Sequence, residues 1–240
     1  MGTSFPLGTS LLPHGVSFSV YSRDADGLDL VLFDAADNPR PSRVISLDPR
    51  KNRTDHYWHA FVPELGAGQI YGYRASGPMD PAQGLRFDAR RVLLDPYGKA
   101  MVIPKGYDRN AIAHSPDQAA IAPKSVVVDR RLYDWEGDTR LRRPFSHTVI
   151  YEMHVAGFTK NPNSGVQPEN RGKYAGVIEK IPYLKDLGVT AVELLPVFQF
   201  DAQDACLGLS NYWGYAPMSF FVPHAGYSAG AGPFAPLQDF

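Results

Sequence analysis

Thr148-Val149-Ile150-Tyr151-Glu152-Met153-His154-Val155 is a short run of apolar and β-branched residues, and Val189-Thr190-Ala191-Val192-Glu193-Leu194-Leu195-Pro196 is a second. Each reads as a strand. After a loop over residues 156–173, Val177, Ile178, Ile181, Leu184 and Leu187 recur at helical spacing between them. Pro182 has no N–H to donate, so a helix there must kink, or restart with Pro182 near its first position. Gly188 is placed to end the helix in a left-handed conformation. Strand, helix, strand in that order is a βαβ unit. Strands so continuously apolar predict a parallel sheet covered on both faces.

Residues 1–100 carry a different period. Val16, Phe18 and Val20 alternate with Ser17, Ser19 and Tyr21, and Leu28, Leu30 and Leu32 alternate with Asp29, Val31 and Phe33. Tyr57-Trp58-His59-Ala60-Phe61-Val62 and Ile70-Tyr71-Gly72-Tyr73 follow, separated by turn-forming clusters. Short alternating strands with regular turns predict a β-sandwich. Residues 101–145 lie in a stretch rich in Pro, Asp and Arg and read as a connector, with Ser125-Val126-Val127-Val128 as a strand candidate. Residues 197–240 read as a long loop crowded with aromatics.

The composition excludes several classes. Of the 240 residues, 44% are apolar and 20% charged, enough apolar surface to rule out disorder as the main state. With 24 basic and 25 acidic residues the net charge is -1, so nothing draws the chain to nucleic acid or an anionic membrane. The single cysteine, Cys206, excludes an internal disulfide framework. No apolar run reaches the ~18 residues of a membrane span. The N-terminal stretch has no cationic start and is broken by Pro6 and Pro13, which predicts a cytoplasmic protein.

Several motifs fail on inspection. Gly226-Tyr227-Ser228-Ala229-Gly230 matches a nucleophile elbow, but Gly232, Pro233 and Pro236 follow where a helix is needed, and no histidine lies downstream. His56 and His59, three apart on a strand, face opposite sides and cannot share a metal. His154 reads as a satisfied core histidine. No cofactor or metal is expected. The aromatic tail holds Asp201, Asp204 and Asp239 and not one Lys or Arg, against nucleic acid. Aromatics flanked by Asn, Asp and His suit a neutral sugar, whose C–H face stacks on a ring while its hydroxyls meet polar groups. Burial of the same aromatics in a core is the competing reading.

Tyr151-Glu152-Met153-His154-Val155-Ala156-Gly157-Phe158-Thr159 resembles the first barrel strand of isoamylase-type glycogen-debranching enzymes, in the α-amylase superfamily. Residues 187–196 resemble the first helix end and second strand. Asn211-Tyr212-Trp213-Gly214-Tyr215-Ala216-Pro217, with Ser219-Phe220-Phe221 and Pro223-His224, resembles the substrate loop after that strand. Pro6-Leu7-Gly8, Trp58-His59, Tyr71-Gly72-Tyr73-Arg74 with Gly77-Pro78, and Leu93-Leu94-Asp95-Pro96-Tyr97 resemble the preceding glycogen-binding-type sandwich. The resemblance implies a multidomain chain: a β-sandwich module over 1–100, a connector over 101–145, and over 146–240 the first βαβ part of an incomplete (β/α)8 barrel.

It also implies retaining hydrolysis of α-1,6 branches of glycogen or a related α-glucan by the whole enzyme. The catalytic carboxylates come from later strands. No catalytic residue is therefore expected here, and the chain alone is expected to be an inactive N-terminal piece. Glu152 and Glu193 are expected to be buried structural carboxylates. Binding carries over: Tyr215 matches the ring that stacks on the sugar beside the cleaved bond, and Trp213 and Asn211 shape the same pocket. Trp58 is either a glycan platform or a packing residue. A non-catalytic glucan-binding module, or a branching or trehalose-releasing relative, are the alternatives.

Overall fold

The computed structural model describes every residue except 1, 116, 117, 130 and 132. The chain divides into two compact units, Met1–Asp129 with Ser219–Phe221, and Arg130–Met218 with Val222–Phe240.

The first unit is a sandwich. Its strands are β1 (Gly8–Leu12), β2 (Gly15–Tyr21), β3 (Gly27–Phe33), β4 (Arg43–Leu47), β5 (Arg53–Thr54), β6 (Tyr57–Pro63), β7 (Ile70–Ser76), β8 (Met79–Asp80), β9 (Leu85–Arg86), β10 (Ala100–Val102) and β11 (Lys124–Val126), with a short helix α1 (Arg109–His114). One sheet runs β1-β2-β6-β5 and the other β10-β11-β7-β3-β4, while β8 and β9 form a small hairpin. The pairings in both sheets are antiparallel. Strand alternation explains the core: Val16, Phe18 and Val20 of β2 and Trp58, Ala60 and Val62 of β6 meet Leu28, Leu30 and Leu32 of β3 and Tyr71 and Tyr73 of β7.

Trp58 is 0% exposed and its Nε1 donates to Ser22 O at 3.1 Å. It is a core residue and offers no platform to a sugar. The segment read as a connector supplies β10 and β11 to the second sheet. It also covers the far face of β3, where Val31 and Phe33 pack with Val92, Ala119 and Ala122. Lys124 is buried there. Its Nζ donates to Ala36 O and Ala119 O at 2.5 Å each and Ala122 O at 3.0 Å, and lies 4.7 Å from the Phe33 ring centroid. Asp95, also buried, accepts from Tyr71 Oη at 2.7 Å and from Tyr97 N at 2.8 Å.

The second unit opens with the expected βαβ. Strand β12 (Ile150–Met153) is followed by α2 (Val155–Thr159), α3 (Tyr174–Glu179), α4 (Ile181–Asp186) and β13 (Ala191–Leu194). β12 and β13 pair in parallel, from Ile150↔Ala191 to Met153↔Leu194. The helix restarts as the proline requires, with Pro182 in the first turn of α4. Gly188 follows at φ +85°, in the left-handed region open to glycine.

The expectation of a sheet covered on both faces is corrected. Ile150, Glu152, Val192 and Glu193 are all exposed, because the pair has only two strands and most of both surfaces lacks a neighbour. Glu152 and Glu193 are adjacent in register, and solvent rather than a buried hydrogen-bond network accommodates their like charges.

The aromatic tail is more ordered than a loop. β14 (Phe198–Phe200) pairs with β15 (Pro217–Pro223), and α5 (Ala235–Asp239) follows. Asp201 N donates to Ala216 O at 2.9 Å and His224 N to Val197 O at 2.7 Å, so the two strands run antiparallel. Prolines at both ends of β15 hide its strand character, though a strand at a sheet edge tolerates them.

Candidate functional site

The core of the second unit gathers Val155, Tyr174, Phe200 and Tyr227, with Leu194 and Val197 against them. These residues follow the C-terminal ends of β12 and β13, the end at which parallel α/β barrels build their sites. Residues 211–215 lie in the loop that joins β14 to β15, and the first four of them are each held by a separate interaction.

Asn211 is spent on the loop itself. Its Oδ1 accepts from Gly214 N at 3.0 Å and its Nδ2 donates to Asp201 O at 3.2 Å. Tyr212 stacks on His154, with ring centroids 4.2 Å apart and planes 9° from parallel. Its carbonyl lies 2.8 Å from His154 Nε2. Trp213 stands edge-on to both rings, 6.1 Å from His154 and 5.4 Å from Tyr212. Gly214 turns the chain at φ +83°, and a Cβ there would meet the Phe200 ring at 2.8 Å. What remains is Tyr215, 69% exposed, while Trp213 is 58% exposed. Of the three predicted binding residues, Tyr215 and Trp213 present rings to solvent and Asn211 shapes the loop from within.

Beneath the loop lies a set of rings that the motif reading left without a role. His224 stacks on Phe200 at 3.7 Å and 12°, and Tyr227 meets His154, Phe200 and His224 edge-on. Burial, with a smaller contribution from His154 beside it, pulls His224 down to about 4, so its imidazole is neutral at pH 7. Burial, with Tyr212 beside it, raises the Tyr227 phenol to about 12. Tyr174 Oη donates to Val197 O at 3.2 Å. His154 is satisfied, as expected, yet one of its partners, the Tyr212 carbonyl, belongs to the 211–215 loop. The clue in the sequence was its place at the end of β12, since neighbouring aromatics distant in the chain leave no local pattern.

Ser228 is no nucleophile elbow. It caps a 3-10 turn over Ala225–Tyr227, and its Oγ bonds to Asp239 Oδ2. Burial opposes ionisation of Asp239, but the Ser228 hydroxyl and the N–H groups of Gly230 and Ala229 outweigh it and hold the carboxyl below its usual range. His59 Nε2 lies 2.9 Å from Thr54 Oγ1 within the sandwich. Among the described residues no cluster of His, Cys, Asp and Glu could hold a metal ion, and no helix is long and apolar enough to cross a membrane.

Carbohydrate-binding module 48, the isoamylase N-terminal domain, matches residues 6–98, and the α-amylase catalytic domain matches residues 137–219. The glycogen debranching enzyme of Serratia proteamaculans is 40% identical over all of this chain and 36% of its own length. Chloroplastic isoamylase 1 of Oryza sativa subsp. japonica is 39% identical over 95% of this chain and 28% of its own. The chain resembles the isoamylase-type glycogen-debranching enzymes of the α-amylase superfamily. It spans about a third of the length of these curated relatives.

In the solved structures, the apo pullulanase of Paenibacillus barengoltzii shares the fold with a TM-score of 0.75 at 24% identity, over 99% of this chain and 34% of that one. The architecture is thus a module-48-like β-sandwich followed by the β/α elements of an amylase catalytic domain, and among the described residues no sheet closes into a complete barrel.

Proposed function

We propose that this chain supplies the glucan-recognising N-terminal part of an enzyme that hydrolyses the α-1,6 branches of glycogen or a related α-glucan with retention of configuration. The division of labour is a sandwich module over 1–100, a connecting stretch over 101–145 and the opening of the barrel over 146–240. The observation that carries the reading is Tyr215: a phenol ring left free at the end of a loop whose other residues are each tied down. A free ring on an ordered loop suits the C–H face of a glucose unit, and Trp213 offers a second apolar surface beside it. The 40% identity to a glycogen debranching enzyme supports the polymer.

Retaining hydrolysis needs a nucleophilic carboxylate and an acid about 5 Å apart across the scissile bond. Glu152 and Glu193 do not suit that task. They lie side by side within adjacent strands, one residue before the strand ends, and both are open to solvent. We therefore assign the chain sugar binding and no catalytic group.

Isothermal titration with maltohexaose tests the binding. Tyr215→Ala is expected to weaken it at least tenfold, about 1.4 kcal/mol, and an unchanged affinity would refute the assignment. A reducing-end assay on branched glucan tests the chemistry: the 240-residue chain is expected to release nothing above background.

A further inference from the structure

We infer that His154 is the positioning residue of the 211–215 loop: its imidazole, acting through Tyr212, holds Tyr215 ready for a glucose ring. The inference rests on the sugar-stacking reading of Tyr215.

The ring's partners fix its proton. Gly157 N can only donate, and it points at Nδ1 from 3.0 Å, so Nδ1 is bare. The Tyr212 carbonyl can only accept, and it lies 2.8 Å from Nε2, so Nε2 carries the hydrogen. The Tyr227 hydroxyl, 3.2 Å from Nε2, takes a share of the same hydrogen. One imidazole thus caps α2 with one nitrogen and holds the loop with the other.

The loop is gripped from the opposite side too. A Cβ on Gly157 would lie 2.5 Å from the Tyr212 hydroxyl, so the phenol fits only because residue 157 has no side chain. Tyr212 is therefore held by His154 through its ring face and its carbonyl, while its hydroxyl end sits over Gly157 of α2. Tyr215 follows Tyr212 in the chain after only Trp213 and Gly214. His154 is 8% exposed and lies behind Tyr212 and Trp213, so its effect on a sugar runs through them. A loop already ordered loses less conformational freedom on binding, which strengthens affinity without adding a contact.

The stack alone needs only a flat ring, whereas the bond to the Tyr212 carbonyl needs a donor. The full 240-residue chain is labelled with 5-fluorotryptophan and titrated with maltohexaose, as wild type and as His154→Gln, His154→Leu and Tyr215→Ala. The Trp213 resonance is identified by its loss in Trp213→Phe, and the buried Trp58 reports on the sandwich. His154→Leu is expected to weaken maltohexaose about tenfold and to move the Trp213 resonance to its free-chain position. His154→Gln, which retains a donor and an acceptor, is expected to restore most of both.

If Tyr215→Ala weakens binding but a folded His154→Leu leaves affinity and the Trp213 resonance as in wild type, this inference is overturned and the sugar reading stands. Equal loss in His154→Gln and His154→Leu overturns it as well. If Tyr215→Ala changes nothing, the sugar reading fails, and the Trp213 resonance alone decides whether His154 holds the loop. Should His154→Leu not fold, Gly157→Ala applies the same test by displacing Tyr212 from its other end, with the same outcomes expected.

Discussion

Asp95 is a carboxyl in the wrong solvent. Burial pushes it up to about 6, against the pull of the Tyr71 hydroxyl, the Tyr97 N–H and the Lys99 charge. In the unfolded chain it ionises near 3.9. The folded state therefore binds this proton more tightly, and the group's contribution to stability is complete below pH ~4 and is lost as pH rises through about 6. A shift of about two units corresponds to about 3 kcal/mol. Asp95→Asn stays neutral, can accept from Tyr97 N and can donate to Tyr71 Oη. Its urea midpoint for the sandwich is expected to exceed wild type at pH 7.5, with the gap shrinking as pH falls through about 6 and closing only below pH ~4. A gap that does not change with pH would exclude titration of Asp95 as its cause. Gly214 is tested more simply. Gly214→Ala combines a left-handed φ with a Cβ 2.8 Å from the Phe200 ring, and is expected to destabilise the second unit by about 1–3 kcal/mol in a thermal melt.

At the scale of elements, β11 depends on a single ammonium. Lys124 gathers three carbonyls, from Ala36, Ala119 and Ala122, at the strand's start. Burial pulls its pKa down to about 8, opposed by Asp37, so it is still mostly charged at pH 7. Lys124→Met removes the donor that these carbonyls share and is expected to lower sandwich stability by about 1–3 kcal/mol in urea titration.

No sequence pattern announces this. A lysine in a Pro-rich stretch reads as solvated, and only the long-range pairing of Ser125 with Tyr71 buries it. The βαβ unit was legible for the opposite reason. Pro182 and Gly188 act through backbone geometry alone, so their positions told where α4 starts and stops. Tyr215 and Trp213 could be found by resemblance. His154, Tyr227 and His224 could not, because stacking between residues far apart in the chain has no period. β14 and β15 were missed because three apolar-polar-apolar residues and a proline-bounded run fall below what alternation can resolve.

Taken whole, the molecule divides its apolar surface unequally. The sandwich encloses a core of its own, with Trp58, Tyr71, Phe18 and Leu30 almost wholly out of water. The second unit has a smaller core and leaves Val149, Ile150, Ile178, Ile181, Leu187 and Val192 exposed along the βαβ segment. Apolar surface of this kind, on a strand pair with open edges, favours association between chains. The 240-residue chain is therefore expected to bind a hydrophobic dye such as ANS and to sediment faster as its concentration rises. Val192→Lys with Ile181→Lys places two charges on that surface without touching either core. This double variant is expected to bind less dye and to keep a constant sedimentation coefficient, with the sandwich's thermal transition unmoved. Dye binding as strong as in wild type would mean that the exposed residues of the βαβ segment are covered in solution. A lowered sandwich transition would mean that the two units do not melt independently.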